Sequence, residues 1–132
     1  MATKVFVTFP VSDLMKSRDF YQALGFKQNM TYSDETTSSM VWDEHFTVML
    51  TTKDFYQKFI PGRTLIDARK QNGALVAFLM NSADEVREFA KVAQENGGSF
   101  YHYESGIPET EMLGYEVEDL DGNILEPTWM KG

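Results

Sequence analysis

The sequence predicts an α+β fold built from two β-α-β-β-β repeats that form paired, curled, mostly antiparallel half-sheets. Three observations predict it. The same order of predicted elements occurs twice, about 68 residues apart. Both predicted helices carry an apolar stripe on one face only, so each covers one side of a sheet. Arg18-Asp19-Phe20 and Arg87-Glu88-Phe89 stand at matching places in the two helices. The 132 residues fit one domain, read as repeat one over 3–52, a connector over 53–72 and repeat two over 73–130.

Taken in order, Lys4 to Phe9 reads as a β-branched and aromatic strand, with Pro10 as its end. Ser12 or Asp13 caps a helix that buries Leu14, Phe20, Tyr21 and Leu24 and stops at Gly25. Phe26 to Tyr32 reads as a weaker strand. Ser39 to Trp42 and Phe46 to Thr51 read as two strands around the turn Asp43-Glu44-His45. Phe55, Tyr56, Phe59 and Ile60 suggest a short helix stopped by Pro61-Gly62.

The second repeat opens with the buried-type strand Ala74 to Leu79. Ser82-Ala83-Asp84-Glu85 is a capping box, followed by the stripe Val86, Phe89, Ala90 and Ala93 and a stop at Gly97-Gly98. Ser99 to Glu104, Leu113 to Asp119 and Ile124 to Met130 complete the repeat. Asp121-Gly122 reads as a two-residue type I′ hairpin turn, because both central residues tolerate positive φ. That register sets Val117 opposite Glu126 and puts Tyr115, Val117, Ile124, Glu126 and Thr128 on one face. A carboxylate among apolar and hydroxyl side chains needs a cation or several donors. Glu126 is therefore the first residue of interest. Trp129 falls on the opposite face, as core under a helix.

With no Cys, thiol catalysis, thiolate metal sites and disulfides are excluded. The net charge is −8, and twelve of the twenty carboxylates lie between Asp84 and Glu126 against Arg87 and Lys91 alone. A nucleic-acid surface needs a basic stripe, so nucleic acid is not an expected partner. No apolar run is long enough to span a bilayer and no secretory leader is evident, so a cytoplasmic protein without a membrane partner is expected.

Phe9-Pro10-Val11-Ser12-Asp13-Leu14, then Phe20 to Phe26, then Glu118 to Glu126 resemble the glyoxalase/bleomycin-resistance/extradiol-dioxygenase (vicinal oxygen chelate) superfamily. The resemblance covers essentially the whole chain. It is nearest to a bacterial branch of predicted lactoylglutathione lyase-like proteins. It implies a homodimer and a cavity. In metal-dependent members it implies four ligands, at positions matching Phe6, Met49, Ala74 and Glu126. Only Glu126 is a ligand type, since Phe and Ala cannot coordinate and Met is a soft thioether. His45 and His102 with Glu126 would be the donors for a two-His-one-carboxylate iron site. His45 reads instead as a solvated turn residue and His102 as packing or surface.

The inward positions implied by the resemblance include Phe6, Thr8, Met49, Thr51, Ala74, Val76, Tyr115 and Thr128 as ligand-binding residues, with Glu126 as the candidate catalytic residue. Three readings of Glu126 stay open: general base, ligand anchor or structural carboxylate. The expected function is the binding of a small, largely apolar molecule in a metal-free cavity. A filled core would present the same mix of side chains. The alternatives are a metal-dependent lactoylglutathione lyase-like lyase/isomerase or dioxygenase holding Zn, Ni, Mn or Fe, and a metal-free enzyme with Glu126 as base.

Overall fold

The computed structural model describes residues 2–132. The chain divides into two compact units, one running through Ile66 and the other Asp67–Gly132. Each contains one mixed sheet with a helix packed on it.

In the first unit the order is β1 (Val5–Val11), α1 (Leu14–Leu24), β2 (Lys27–Gln28), β3 (Thr37–Val41), β4 (Phe46–Thr52) and the short α2 (Lys53–Gln57). The sheet order is β1-β4-β3-β2, with β1 parallel to β4 and the other pairs antiparallel. Asp13 caps α1 by accepting from the Lys16 amide at 3.0 Å, and Gly25 ends the helix at φ 111°. The helix buries Ser17, Phe20, Tyr21 and Leu24. Beneath it lie Met40, Val48 and Leu50, all fully buried.

Two expectations are corrected here. Pro10 does not end β1, which runs to Val11; β1 is the last strand in the sheet order, where a missing amide donor is tolerated. Phe26 to Tyr32 is a strand for two residues only. The Asn29 side chain then accepts from the Thr31 amide at 3.1 Å and diverts Met30–Tyr32 into a 3-10 turn.

The second unit repeats the plan: β5 (Leu75–Leu79), α3 (Ala83–Glu95), β6 (Ser99–Tyr101), β7 (Met112–Gly114), β8 (Glu116–Glu118) and β9 (Ile124–Met130). Its order β5-β9-β8-β6 matches the first sheet's, again with the first strand parallel to the last. Ser82 caps α3, its hydroxyl accepting from the Glu85 amide at 3.1 Å, while Glu85 accepts from the Asn81 amide at 3.1 Å. The helix lays Val86, Phe89, Ala90 and Ala93 on the sheet, and Phe89 meets Phe78 edge-on at 5.5 Å.

β7 and β8 share one register against β9, with Leu113 opposite Trp129 and Val117 opposite Leu125. They are one strand interrupted at Tyr115, which faces Pro127 and donates to its carbonyl at 3.2 Å. Proline has no amide to return, so the ladder loses one bond there. Pro127 thus breaks the strand without a bulge, since the register is equal on both sides.

The hairpin between β8 and β9 differs from the two-residue turn. Asp119 and Asn123 close it, with the Asp119 amide donating to the Asn123 carbonyl at 2.9 Å. Leu120-Asp121-Gly122 is a three-residue loop. The Gly122 amide bonds to the Asp119 carbonyl at 3.1 Å, and Gly122 alone in the loop has positive φ, 92°. This is a type I turn completed by a left-handed glycine. The Asp119 carboxylate holds it by accepting from the amides of Asp121 and Asn123, each at 2.9 Å, and from the Asn123 side chain at 3.0 Å.

A Cβ on Gly122 would lie 2.9 Å from the backbone of Ala68 and Arg69, whereas Gly62, at φ 80°, has nothing within 4 Å. Gly62→Ala should cost only the left-handed penalty of about 1–2 kcal/mol. Gly122→Ala should cost visibly more in urea unfolding, because it adds a backbone clash. Equal losses would mean that residues 68 and 69 do not press on the turn.

Candidate functional site

The three-residue loop shifts the β8–β9 register by one place, and a one-residue shift exchanges the faces of a strand. Val117 pairs with Leu125 and Glu118 with Ile124. Continuing that register, Glu116 stands opposite Glu126. Tyr115 and Val117 belong to the helix-covered face with Leu125, Pro127 and Trp129. This corrects the sequence reading, which set Tyr115 and Val117 beside Glu126. The Tyr115 ring packs at 5.2 Å against both Phe100 and His102.

The face that carries Glu126 contains Leu75, Ala77 and Leu79 from β5, because Ala77 is the register partner of Glu126. Val76 pairs with Leu125 on the helix side, and Ala74 precedes the strand. The expected inward pair Ala74 and Val76 is therefore replaced by Leu75 and Ala77. Thr128 shares the Glu126 face by strand alternation, and its hydroxyl donates to the Glu126 carbonyl at 3.0 Å. Tyr101 joins it as the partner of Glu116. Leu75, Leu79, Tyr101 and Met130 are half or more exposed. This face is apolar at its margin and acidic at its centre.

The central feature is a carboxyl pair. Odd-numbered positions of the ladder carry the hydrogen bonds, as at Tyr115–Pro127 and Asp119–Asn123. Glu116–Glu126 is therefore a non-hydrogen-bonded pair, where opposed side chains approach most closely. Oε2 of Glu116 is buried and receives no donor from the chain. Two carboxylates have no proton to exchange between them, so a bond between the two requires that one be protonated. Burial first, then the bond and charge of Glu126, push the Glu116 carboxyl up to about 7. Burial and the charges of Glu116, Glu118 and Glu126 push the Tyr101 phenol above its ordinary range.

In the first unit Phe6, Thr8, Met49 and Thr51 fall on one sheet face. Phe6 pairs with Thr47, Thr8 with Met49 and Pro10 with Thr51. Ser39 and Thr37 flank them from β3. Phe6 is 60% exposed, while Thr51 is 2% exposed with its hydroxyl oxygen buried and unpartnered. The side chains on this face are apolar or hydroxyl-bearing, and Phe6, Thr8, Met49 and Thr51 offer no carboxylate or imidazole.

The donor set does not fit the ion site that the resemblance implies. No three His, Asp or Glu converge among the described residues. His45 lies 3.2 Å from Glu44 and 3.3 Å from the Thr3 carbonyl, and His102 lies 3.5 Å from Glu104. Neither forms a triad with Glu126. A separate polar cleft of about 340 Å³ lies at the hairpin end, among Arg69, Ser99, Glu118 and Leu120; Glu126 does not line it.

Sequence reasoning missed Glu116. The signal was present: Asp119-Leu120-Asp121-Gly122 has Asp at the first and Gly at the fourth place of a type I turn.

The pair has a measurable consequence. A carboxyl raised in the folded state binds a proton that the unfolded chain has already lost, so stability falls as pH rises from about 4.5 to 7. Glu116→Gln imitates the protonated form. It should raise Tm at pH 8 by about 3–5 °C, corresponding to about 1 kcal/mol after solvent screening, and leave Tm at pH 5 nearly unchanged. Thermal melts at the two pH values check this; an equal shift at both would mean that the pair shares no proton.

The comparisons with known proteins agree with this fold. The sequence profile of the Glyoxalase/Bleomycin resistance protein/Dioxygenase superfamily matches residues 5–126. No curated protein sequence matches the chain. Among solved structures, a hypothetical protein from S. aureus is 23% identical with a TM-score of 0.75, covering 98% of this chain and 94% of that one. A glyoxalase/bleomycin resistance protein/dioxygenase family enzyme from Burkholderia phytofirmans is 15% identical with a TM-score of 0.76, covering 98% and 100%. A fosfomycin resistance protein from Listeria monocytogenes, complexed with Mn(II) and sulfate, is 15% identical with a TM-score of 0.70, covering 99% and 92%. At these identities the structures speak for the fold alone. With the profile spanning nearly the whole sequence and the strand order repeated in both halves, the chain belongs to the Glyoxalase/Bleomycin resistance protein/Dioxygenase superfamily.

Proposed function

We propose that the protein binds a small, largely apolar molecule on the Glu126 face of the second sheet, without a bound metal, and that Glu126 anchors the ligand's polar group. The observation that carries this reading is the composition of that face: exposed Leu75, Leu79, Tyr101 and Met130 around an acidic centre. Apolar walls with a few convergent polar groups are the usual make-up of a small-molecule site. The partly protonated pair offers both a donor and acceptors, which suits a ligand bearing a hydroxyl or an amine.

The metal-dependent lyase, isomerase or dioxygenase reading gains no support from the donors present, since Phe6, Met49 and Ala74, the other ligand positions that the resemblance implies, supply no hard oxygen or nitrogen from their side chains. The family resemblance also supports a homodimer, which sedimentation would register as two chains of 15.1 kDa.

Benzyl alcohol is a suitable probe. Titrated into labelled protein, it should shift the amide resonances of Ala77, Leu79 and Thr128 with a Kd of about 1 mM, from about 0.5 kcal/mol for each heavy atom. Leu79→Asp, at a position 65% exposed, should abolish the shifts without lowering Tm. Unchanged binding in that variant would place the ligand elsewhere. About one divalent ion per chain in protein purified without chelator would overturn the metal-free reading.

A further inference from the structure

The β8–β9 ladder carries two weaknesses at one place. At Tyr115–Pro127 one hydrogen bond is missing, because Pro127 has no amide. At the next pair two glutamates oppose each other at the narrow position, and like charges directly opposite one another destabilise a strand pair. The element that would separate is short: β8 has three residues and its outer neighbour β6 also three.

No basic side chain of this sheet stands on the face to compensate. Among the described residues, β6 presents Tyr101 opposite Glu116. β8 presents Glu118, whose carboxylate already accepts from the Ser99 hydroxyl at 2.7 Å. Alternation puts Met112 and Gly114 of β7 on this face. β5 presents Ala77 between Leu75 and Leu79, none of which titrates. The ring of His102 packs on Tyr115, on the opposite face. Every titratable neighbour of the pair on this face is therefore acidic.

We propose that the Glu116–Glu126 pair is a proton-operated latch on the β8–β9 ladder: one shared proton keeps the strands zipped, and its loss opens them locally at Tyr115–Pro127. The proton leaves to solvent, and both carboxylates are then charged. In the open state each gains water, which relieves the buried Oε2 of Glu116. The opening is a sub-global event confined to β6, β8 and the adjoining part of β9. It does not depend on the identity of any ligand. The raised affinity of Glu116 for its proton sets the working range near neutrality.

Amide hydrogen exchange on the intact chain tests the latch, since the amides of Tyr115 and Val117 point at β9 and report on this ladder. Their protection, corrected for the intrinsic rate, should fall about tenfold between pH 5.5 and pH 8, the equivalent of one pKa unit. At pH 8 it should lie below that of Val48 and Leu50 in the first sheet. In Glu116→Gln and, independently, Glu126→Gln, the fall should shrink to under about threefold, since a neutral amide at either place removes the repulsion. An undiminished fall in both variants would overturn the proposal. So would a wild-type protection that does not change with pH, or one that equals that of Val48 and Leu50 at pH 8.

Discussion

One turn decides the chemistry of the second sheet. Gly122 adopts the left-handed conformation as the third residue of a loop that Asp119 and Asn123 close. Its missing side chain lets the backbone of Ala68 and Arg69 lie directly against it, and the Arg69 guanidinium also bonds to the Leu120 carbonyl. The turn is thus fixed from within by the Asp119 carboxylate and from outside by the incoming chain. Because strand side chains alternate, fixing this turn fixes which residue meets Glu126. It selects Glu116 and sends Tyr115 and Val117 beneath α3.

The two faces of the second sheet thereby take different tasks. The helix-covered face is closed: Val117, Leu125, Val86 and Ala90 are buried almost completely. The opposite face keeps large apolar side chains in solvent contact around two glutamates. Burying a carboxyl beside another carboxyl costs free energy, and the cost is reduced by retaining a proton. A group that holds a proton near neutrality is also one that exchanges hydrogen bonds with a ligand. The same strain that weakens the ladder therefore supplies the polar end of the proposed site. The first sheet repeats the architecture without the acid, its corresponding face being made of Phe6, Met49 and threonine hydroxyls.

Much of the architecture was legible in the amino-acid order. Caps at Asp13 and Ser82, the stop at Gly25 and the apolar stripes of both helices are local signals, and local physics placed them correctly. The duplicated order of elements was legible because each half repeats its hydrophobic periods. The failures were failures of pairing. Asp121-Gly122 is compatible with a two-residue and a three-residue loop; Asp119 at the first place and Gly122 at the fourth favour the longer one, and the contact with residues 68 and 69 together with the Asp119 cap fixes it. Pro10 looked like a terminator because nothing local says that β1 lies at the end of its sheet. Ala74 and Val76 were misplaced by one position for the same reason: the parity of a strand face depends on its neighbour. Glu126 was conspicuous as a lone acid in an apolar run, whereas Glu116 sat in an acidic stretch where an extra carboxylate carries no signal.

Two carboxyl groups that face each other across the β8–β9 ladder, and the one proton proposed to be shared between them, underlie both the proposed site and the proposed latch. A carbon-13 NMR titration of the glutamate side-chain carboxyls measures this directly. Glu116 should titrate near pH 7 in the wild type and move down toward the ordinary carboxylate range in Glu126→Gln, stopping short of it because the burial remains. Titration of Glu116 in the ordinary range in both proteins would contradict the shared proton and would mean that the two side chains do not meet.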